Sequence, residues 1–239
     1  MLKDILTIVI PCKNEGINIY DCLGLICKQS DIAGTNVVVA DSSDEAESLY
    51  WLSRARIDFG FSIVIHTING GYPAKARLNG SQLVKTPYVL FLDADVMLRN
   101  KNLLKNIWET SLAYYEVDLV TTPFQTEKGW NWVFRIFDKF QRLSTFLGTP
   151  FAVGGFQIFN TKTYWEIGGY NPEELFAEDY SLSSKINPKK FWIHKTRGVW
   201  TSARRFKNKG VLWMFKIMIL SYINRNNPNF FKHHHNYWT

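Results

Sequence analysis

Four short apolar runs, separated by stretches of helical periodicity, constrain the fold of this chain more than any other feature. They are Ile5–Ile10, Val37–Ala40, Ile63–Ile65 and Val89–Leu92. Runs of this length without polar alternation suit strands buried on both faces, as in a parallel sheet covered by helices. Helices are expected at about Asn18–Gln29, through Leu49, Leu52 and Ala55, and at Ala74–Lys85. Strand and helix therefore alternate, which predicts an α/β fold with a doubly wound, Rossmann-like, mostly parallel central sheet flanked by helices. No Gly-x-Gly-x-x-Gly follows the first strand and no Gly-x-x-x-x-Gly-Lys-Ser/Thr occurs, so dinucleotide and P-loop readings lose their main support.

The fourth run ends in Asp93-Ala94-Asp95. Side chains two apart on an extended chain point the same way, so both carboxylates would share one face beyond the strand's carboxyl end, where open α/β sheets bind ligands. Two like charges so close repel unless water or a cation lies between them. A hard divalent ion held by carboxylates and substrate phosphates is the natural occupant. Glu15 and Asp41 also fall just after apolar strands, so three of the first four strands deliver carboxylates to one edge. Asp41-Ser-Ser-Asp44 reads as a helix N-cap cluster.

Past Asp95 the pattern changes. A helix is expected from Leu103 to Tyr115, a strand at Leu119–Thr122 and an aromatic-rich helix over Trp130–Phe146 that carries Arg135, Lys139 and Arg142. Gly154-Gly155 precedes a strand at Phe156–Phe159, Gly168-Gly169 ends a short helix and Glu178-Asp179 begins another. Phe191–His194 reads as the last strand and Val211–Ile223 as a tail helix. Its thirteen residues fall short of the ~20 a membrane span needs; it is either a core helix covering the sheet or an interfacial one. The expected organisation is one domain over residues 1–239, with a nucleotide-binding half at 1–98, an acceptor half at 99–210 and a C-terminal helix and tail at 211–239.

Lysine and arginine exceed acidic residues by seven, which favours anionic partners such as nucleotide phosphates or an anionic membrane surface. The basic residues are spread rather than clustered, against a nucleic-acid-binding module. Cys12, Cys22 and Cys27 are odd in number and match no zinc spacing, so reduced, buried thiols are expected. With no leader pattern before the first strand, the expected location is cytoplasmic, with possible attachment to the inner face of a membrane.

In order along the chain, Ile8-Val-Ile-Pro11-Cys-Lys-Asn14-Glu15, Ala40-Asp41-Ser-Ser-Asp44, Ala76-Arg77-Leu-Asn-Gly80, Phe91-Leu-Asp93-Ala-Asp95, Gly154-Gly155-Phe156, Ile167-Gly-Gly169-Tyr170, Glu178-Asp179-Tyr180 and Ser202-Ala-Arg204-Arg205-Phe206 resemble glycosyltransferase family 2 and its GT-A fold. The resemblance implies inverting transfer of a sugar from a nucleotide diphosphate, a UDP-sugar by preference, to a glycan or lipid-linked acceptor. It also implies Mg²⁺ or Mn²⁺ held by Asp93 and Asp95, with Ala94 between them at the donor. Pro11, Asn14 and Glu15 would line the nucleoside pocket, Asp41 would meet the base, and Arg77 would reach the base or phosphates. The family often has Asn beside that arginine, where this chain has Leu78. Asp179 is the implied general base, with Glu178 orienting it or touching the acceptor, and Arg204 and Arg205 would close over the diphosphate. A third metal ligand is left open between His194 and the His233–His235 run, which reads equally as a tail. The Gln-x-x-Arg-Trp motif of processive relatives is absent, so one sugar per encounter is expected. The alternatives are a GT-A protein that binds nucleotide without turnover, and a basic module for nucleic acid or a membrane surface.

Overall fold

A computed structural model describes residues 1–235. The expected alternation is present from the start: β1 (Leu6–Cys12), α1 (Ile17–Cys27), β2 (Asn36–Asp41), α2 (Ala46–Phe59), β3 (Val64–Asn69), α3 (Pro73–Ser81) and β4 (Tyr88–Leu92). These four strands pair in parallel in the order β3-β2-β1-β4. Their apolar runs are continuous because alternate residues feed opposite cores. Ile8, Ile10, Leu90 and Leu92 face α1 and α2, meeting Ile19, Leu23, Ile26 and Leu52. Val9, Val38, Val89 and Phe91 face the other side, with Ala74 of α3. Val89 through Leu92 are fully buried, as a two-sided strand requires. The edge strand β3 is mostly exposed and starts one residue later than expected.

After β4 come β5 (Met97–Leu98), α4 (Leu103–Ile107), which runs on through a π-helical turn at Trp108–Leu112, β6 (Leu119–Thr121) and β7 (Phe124–Gln125). The remaining elements are α5 (Asn131–Phe146), β8 (Phe156–Asn160), α6 (Thr161–Glu166), α7 (Glu178–Ser183), β9 (Phe191–Ile193), β10 (Val199–Trp200), α8 (Arg204–Lys209), α9 (Val211–Ile223) and α10 (Pro228–Phe231). The sheet continues beyond β4 as β8-β6-β9. There β8 runs antiparallel to both neighbours, while β9 is parallel to β6. Residues before and after Leu98 thus share one sheet.

Two features set the site. The register pairs Cys12 with Asp41 and Asp41 with Asn69, so the carboxyl ends of β1, β2 and β3 finish level. The reversed strand β8 starts where β4 ends, pairing Phe156 with Leu92 and setting Gly154-Gly155 beside Asp93, whose N–H donates to the Gly155 carbonyl at 3.3 Å. β5, β10 and β7 form a second, three-stranded sheet in the order β5-β10-β7. It draws the Thr201–Arg205 segment in, with the Thr201 N–H on the Gln125 carbonyl at 3.0 Å.

Three expectations need correction. The last strand is β10 rather than Phe191–His194. Asp41–Asp44 does not cap α2, whose N-cap is Glu45 without a side-chain bond. The tail helix α9 does not cover the main sheet. Its buried residues Met214, Ile217 and Ser221 face inward, and Met214 and Met218 pack with aromatic residues of α5.

Candidate active site

A cavity of about 830 Å³ opens at the carboxyl edge of the sheet. Pro11 and Glu15 reach it from the β1 loop, Arg77 from α3, Asp93, Ala94 and Asp95 from the end of β4, Glu178 and Asp179 from α7, and Arg204 and Arg205 from α8. Ten of the twelve expected site residues therefore share one space.

At its floor lies Arg77, only 3% exposed. Nη2 binds Asp93 Oδ1 and Nη1 binds Glu178 Oε1, both at 2.6 Å. The planar guanidinium fork suits such two-sided pairing. Burial alone would discourage the cation, but Asp93 and then Tyr170, Glu178 and Asp179 together more than offset it, and the proton is held more firmly than usual. The guanidinium also lies 5.2 Å from the Tyr170 ring centre. The Arg77 guanidinium is thus paired with two carboxylates, Asp93 and Glu178. Glu178, itself buried, accepts from Arg77 Nη1 and lines the cavity.

Asp179 is held differently. Its Oδ2 accepts from the Gly154 N–H and its Oδ1 from the Tyr180 N–H, each at 2.8 Å. Ala177, in the left-handed region at φ 48°, turns the chain so that α7 begins here. Glycine at 154 suits a close approach: a Cβ there would lie 3.0 Å from Arg77 Nη2 and 3.2 Å from Asp179 Cβ, so either neighbour would have to give by a few tenths of an ångström. Burial, and then the neighbouring Glu178, push the Asp179 carboxyl up to about 6.

The acidic pair is asymmetric. Asp93 has one oxygen on Arg77 and remains about one-third exposed. Asp95 meets Arg204 Nη2 only at 3.9 Å. Burial, Asp93 and Glu15 raise its carboxyl to about 6, against the pull of Arg205 and Arg204. Burial also raises Glu15, whose Oε2 accepts from Asn18. Negative charge is thus concentrated among oxygen donors, which fits a hard divalent cation. Asp93 and Asp95 are the residues that would hold it. Among the described residues no cluster of three or more His, Cys, Asp or Glu side chains forms a metal site by itself.

Asn14 and Asp41 are not among the residues that line the cavity. Asp41 Oδ1 accepts from the Ser43 N–H and hydroxyl at 3.1 and 2.7 Å. Asn14 donates to Asp44 at 2.7 Å and accepts from the Asp44 and Glu45 N–H groups. Together they lock the β1 and β2 loops to each other.

Both His194 ring nitrogens are engaged in hydrogen bonds within the protein. Its Nδ1 accepts from the Thr196 N–H at 3.1 Å, so Nε2 carries the proton and faces Thr110 Oγ1 at 2.7 Å. It is not among the cavity-lining residues. His234 rests against Tyr72 at the cavity wall, 5.4 Å between ring centres, while His235 Nε2 meets the Phe230 carbonyl. Cys12 and Cys22 are buried and Cys27 half-buried, all unpaired as thiols.

Glu127 was not visible as a site residue from sequence. It accepts from the Ala203 N–H at 3.2 Å and from Lys207 Nζ at 3.3 Å, tethering the basic segment over Asp95. The Thr126 hydroxyl, with these donors, lowers its carboxyl to about 2. Also missed was the cavity's far wall of Phe137, Phe140, Phe151 and Met218. Nothing local distinguishes these from core residues.

The family model for glycosyl transferase family 2 matches residues 7–168. The chain belongs to glycosyltransferase family 2. This family 2 chain is similar in fold to S. aureus TarS, with a TM-score of 0.64 and 17% identity over 97% of this chain and 41% of that one. A structure of TarS 1–349 with UDP-GlcNAc gives 0.61 and 17%, covering 83% and 58%. The mannosyltransferase PcManGT from Pyrobaculum calidifontis, solved with GDP-Man and Mn²⁺, gives 0.67 and 19%, covering 90% and 64%. The shared architecture is the GT-A fold. The chain thus spans less than half the length of that TarS chain. No curated protein sequence matches it.

Proposed function

We propose that this chain transfers a sugar from a nucleotide diphosphate, with a UDP-sugar favoured, to a hydroxyl acceptor in glycan or glycolipid synthesis, with inversion and with Mg²⁺ or Mn²⁺. The observation that carries this is the meeting of Asp93, Asp95, Glu15, Asp179, Arg204 and Arg205 around one cavity at the carboxyl edge. The domain acts as one unit. Its donor side comes from residues 1–98 and its acceptor side from 99–210.

Asp179 takes the proton as the acceptor oxygen forms its bond to the anomeric carbon. The bond from that carbon to the β-phosphate oxygen breaks, and the nucleoside diphosphate leaves. A cation between Asp93 and Asp95 would neutralise charge developing on the leaving phosphate. Arg204 and Arg205 bring planar donor forks to the same oxygens. Arg77 fixes Asp93 on one side and Glu178 on the other, so both carboxylate systems share one rigid reference.

The neighbours were solved with UDP, UDP-GlcNAc and GDP-Man, so base and sugar are open to direct titration. UDP, GDP and dTDP should be titrated calorimetrically with and without Mn²⁺ on wild type and Asp95→Ala. Metal-dependent binding of one nucleotide, abolished in the variant, is the expected result. Failure of all three to bind would refute the proposal.

Peripheral contact with an anionic membrane is part of the same reading. Helix α9 leaves Leu212 and Ile223 exposed, and α5 leaves Trp132, Leu143 and Phe146 exposed. Arg135, Lys139, Arg142 and Lys216 lie on the same two helices and are also exposed. No helix among the described residues is long and apolar enough to cross a membrane.

A further inference from the structure

Ala177 holds a left-handed backbone, at φ 48°, immediately before Glu178-Asp179. For a residue with a side chain that conformation is costly, and it persists only where surrounding contacts over-determine it. Here those contacts come from α10. The N–H groups of Leu175 and Phe176, which precede Ala177, both donate to the Phe231 carbonyl, at 2.9 and 3.2 Å. Phe231 is only 1% exposed and belongs to one apolar cluster with Val153, Ala177 and Tyr180. Val153 precedes Gly154, so the cluster backs both segments whose N–H groups, at Gly154 and Tyr180, hold Asp179. On either side of Phe231 the grip continues. Lys232 Nζ meets Glu173 Oε2 at 2.6 Å, and the Phe230 ring centre lies 6.0 Å from that of Phe176. No residue of α10 lines the cavity.

We infer that Phe231 is a positioning residue: its carbonyl holds the turn at Ala177, its ring backs the two amide donors, and α10 thereby aims Asp179 into the cavity. This rests on the reading of Asp179 as the base. Phe231 touches neither donor nor acceptor and acts through Asp179 alone.

The test follows the Gly154 and Tyr180 amide protons by NMR in the folded full chain. Bonded to the Asp179 carboxylate, they should shift together with pH through its midpoint at about 6. Phe231→Ala should abolish this common titration, and Phe231→Leu, which keeps much of the buried volume, should retain it. A common titration surviving in folded Phe231→Ala overturns the inference. Should that variant not fold, Lys232→Glu acts at a pair that lies partly in solvent. Exchange of the Leu175 and Phe176 amides should then quicken roughly twofold to fivefold, with a weakened Gly154 titration, and both should recover when Glu173→Lys is added. Unchanged exchange, or faster exchange with an unaltered Gly154 titration, also overturns it. UDP with Mn²⁺ should bind the variants as it binds wild type; loss in the variants alone would refute action through Asp179. Failure of UDP to bind the wild-type chain would count against the transferase reading and leave the hold of Phe231 on Asp179 standing.

Discussion

Arg77→Met is the most informative single perturbation of this protein. The arginine is buried between two carboxylates, and removing it strands Glu178 without a partner inside the core. Breaking a buried pair from one side costs about 3–5 kcal/mol, because the remaining charge is left uncompensated. The Asp93 bond adds less, since that carboxylate is about one-third exposed and water can replace part of the interaction. The overall loss should be about 3 kcal/mol, at the lower end of that range. For a chain of this length each kcal/mol moves the melting temperature by roughly 2–4 °C, so thermal unfolding should shift down by about 6–12 °C. Adding Glu178→Leu removes the stranded charge and should recover at least a third of the loss, whereas independent sites would simply add. Arg77→Lys should fall between wild type and Arg77→Met, because one ammonium cannot span both carboxylates in the fork's geometry. The reasoning fails if Arg77→Met melts within about 2 °C of wild type, or if the two substitutions are additive.

Three further outcomes are expected. Donor turnover should rise with pH through about 6, because Asp179 is protonated below that value and cannot accept a proton. Asp179→Asn should lose roughly 10²–10⁴-fold while still binding nucleotide; a profile flat from acid to neutral pH, or near-normal turnover in the variant, would reject the assignment. Burial raises the Glu174 carboxyl from 4.5 to about 7 although Ser181 donates to it at 2.7 Å. The folded state holds that proton more tightly than the unfolded chain, so stability falls as pH rises from about 4.5 through about 7. Glu174→Gln should therefore melt higher than wild type at pH above about 7 and match it in acid, and the opposite order would show that ionised Glu174 is stabilising. Finally, the chain should float with anionic liposomes at low salt and release as salt rises; absence from the floated fraction at low salt would remove the membrane reading.

The parts of the fold legible in the sequence are those where one local signal suffices. The runs that became β1, β2 and β4 are apolar on both faces because two cores lie against them, and no tertiary knowledge is needed to see it. The two-residue strands β5, β7 and β10 carry no periodicity and exist only because a second sheet collects them. Asp41–Asp44 has the composition of a helix cap. Its oxygens are instead taken by Asn14 and Ser43, so α2 starts at Ala46 without a side-chain cap. The burial of Arg77 was out of reach for the same reason. Its partner Glu178 lies 101 residues away, and the pairing cannot be seen until α7 is placed.

The reversal of β8 ties these misses together. Every parallel strand of the first half ends at the edge where Asp93 and Asp95 stand, and lends that edge the loop after it. An antiparallel strand lends the loop before it, so the Gly154-Gly155 turn arrives beside Asp93. That turn supplies the Gly154 N–H that fixes Asp179, and it has no side chain to displace Arg77. One strand direction therefore places the proposed base next to the proposed cation site, while a single arginine joins Asp93 to Glu178, the residue before that base. Glycine at 154 fits that convergence through its missing side chain and not through its backbone angles, since it is absent from the left-handed positions.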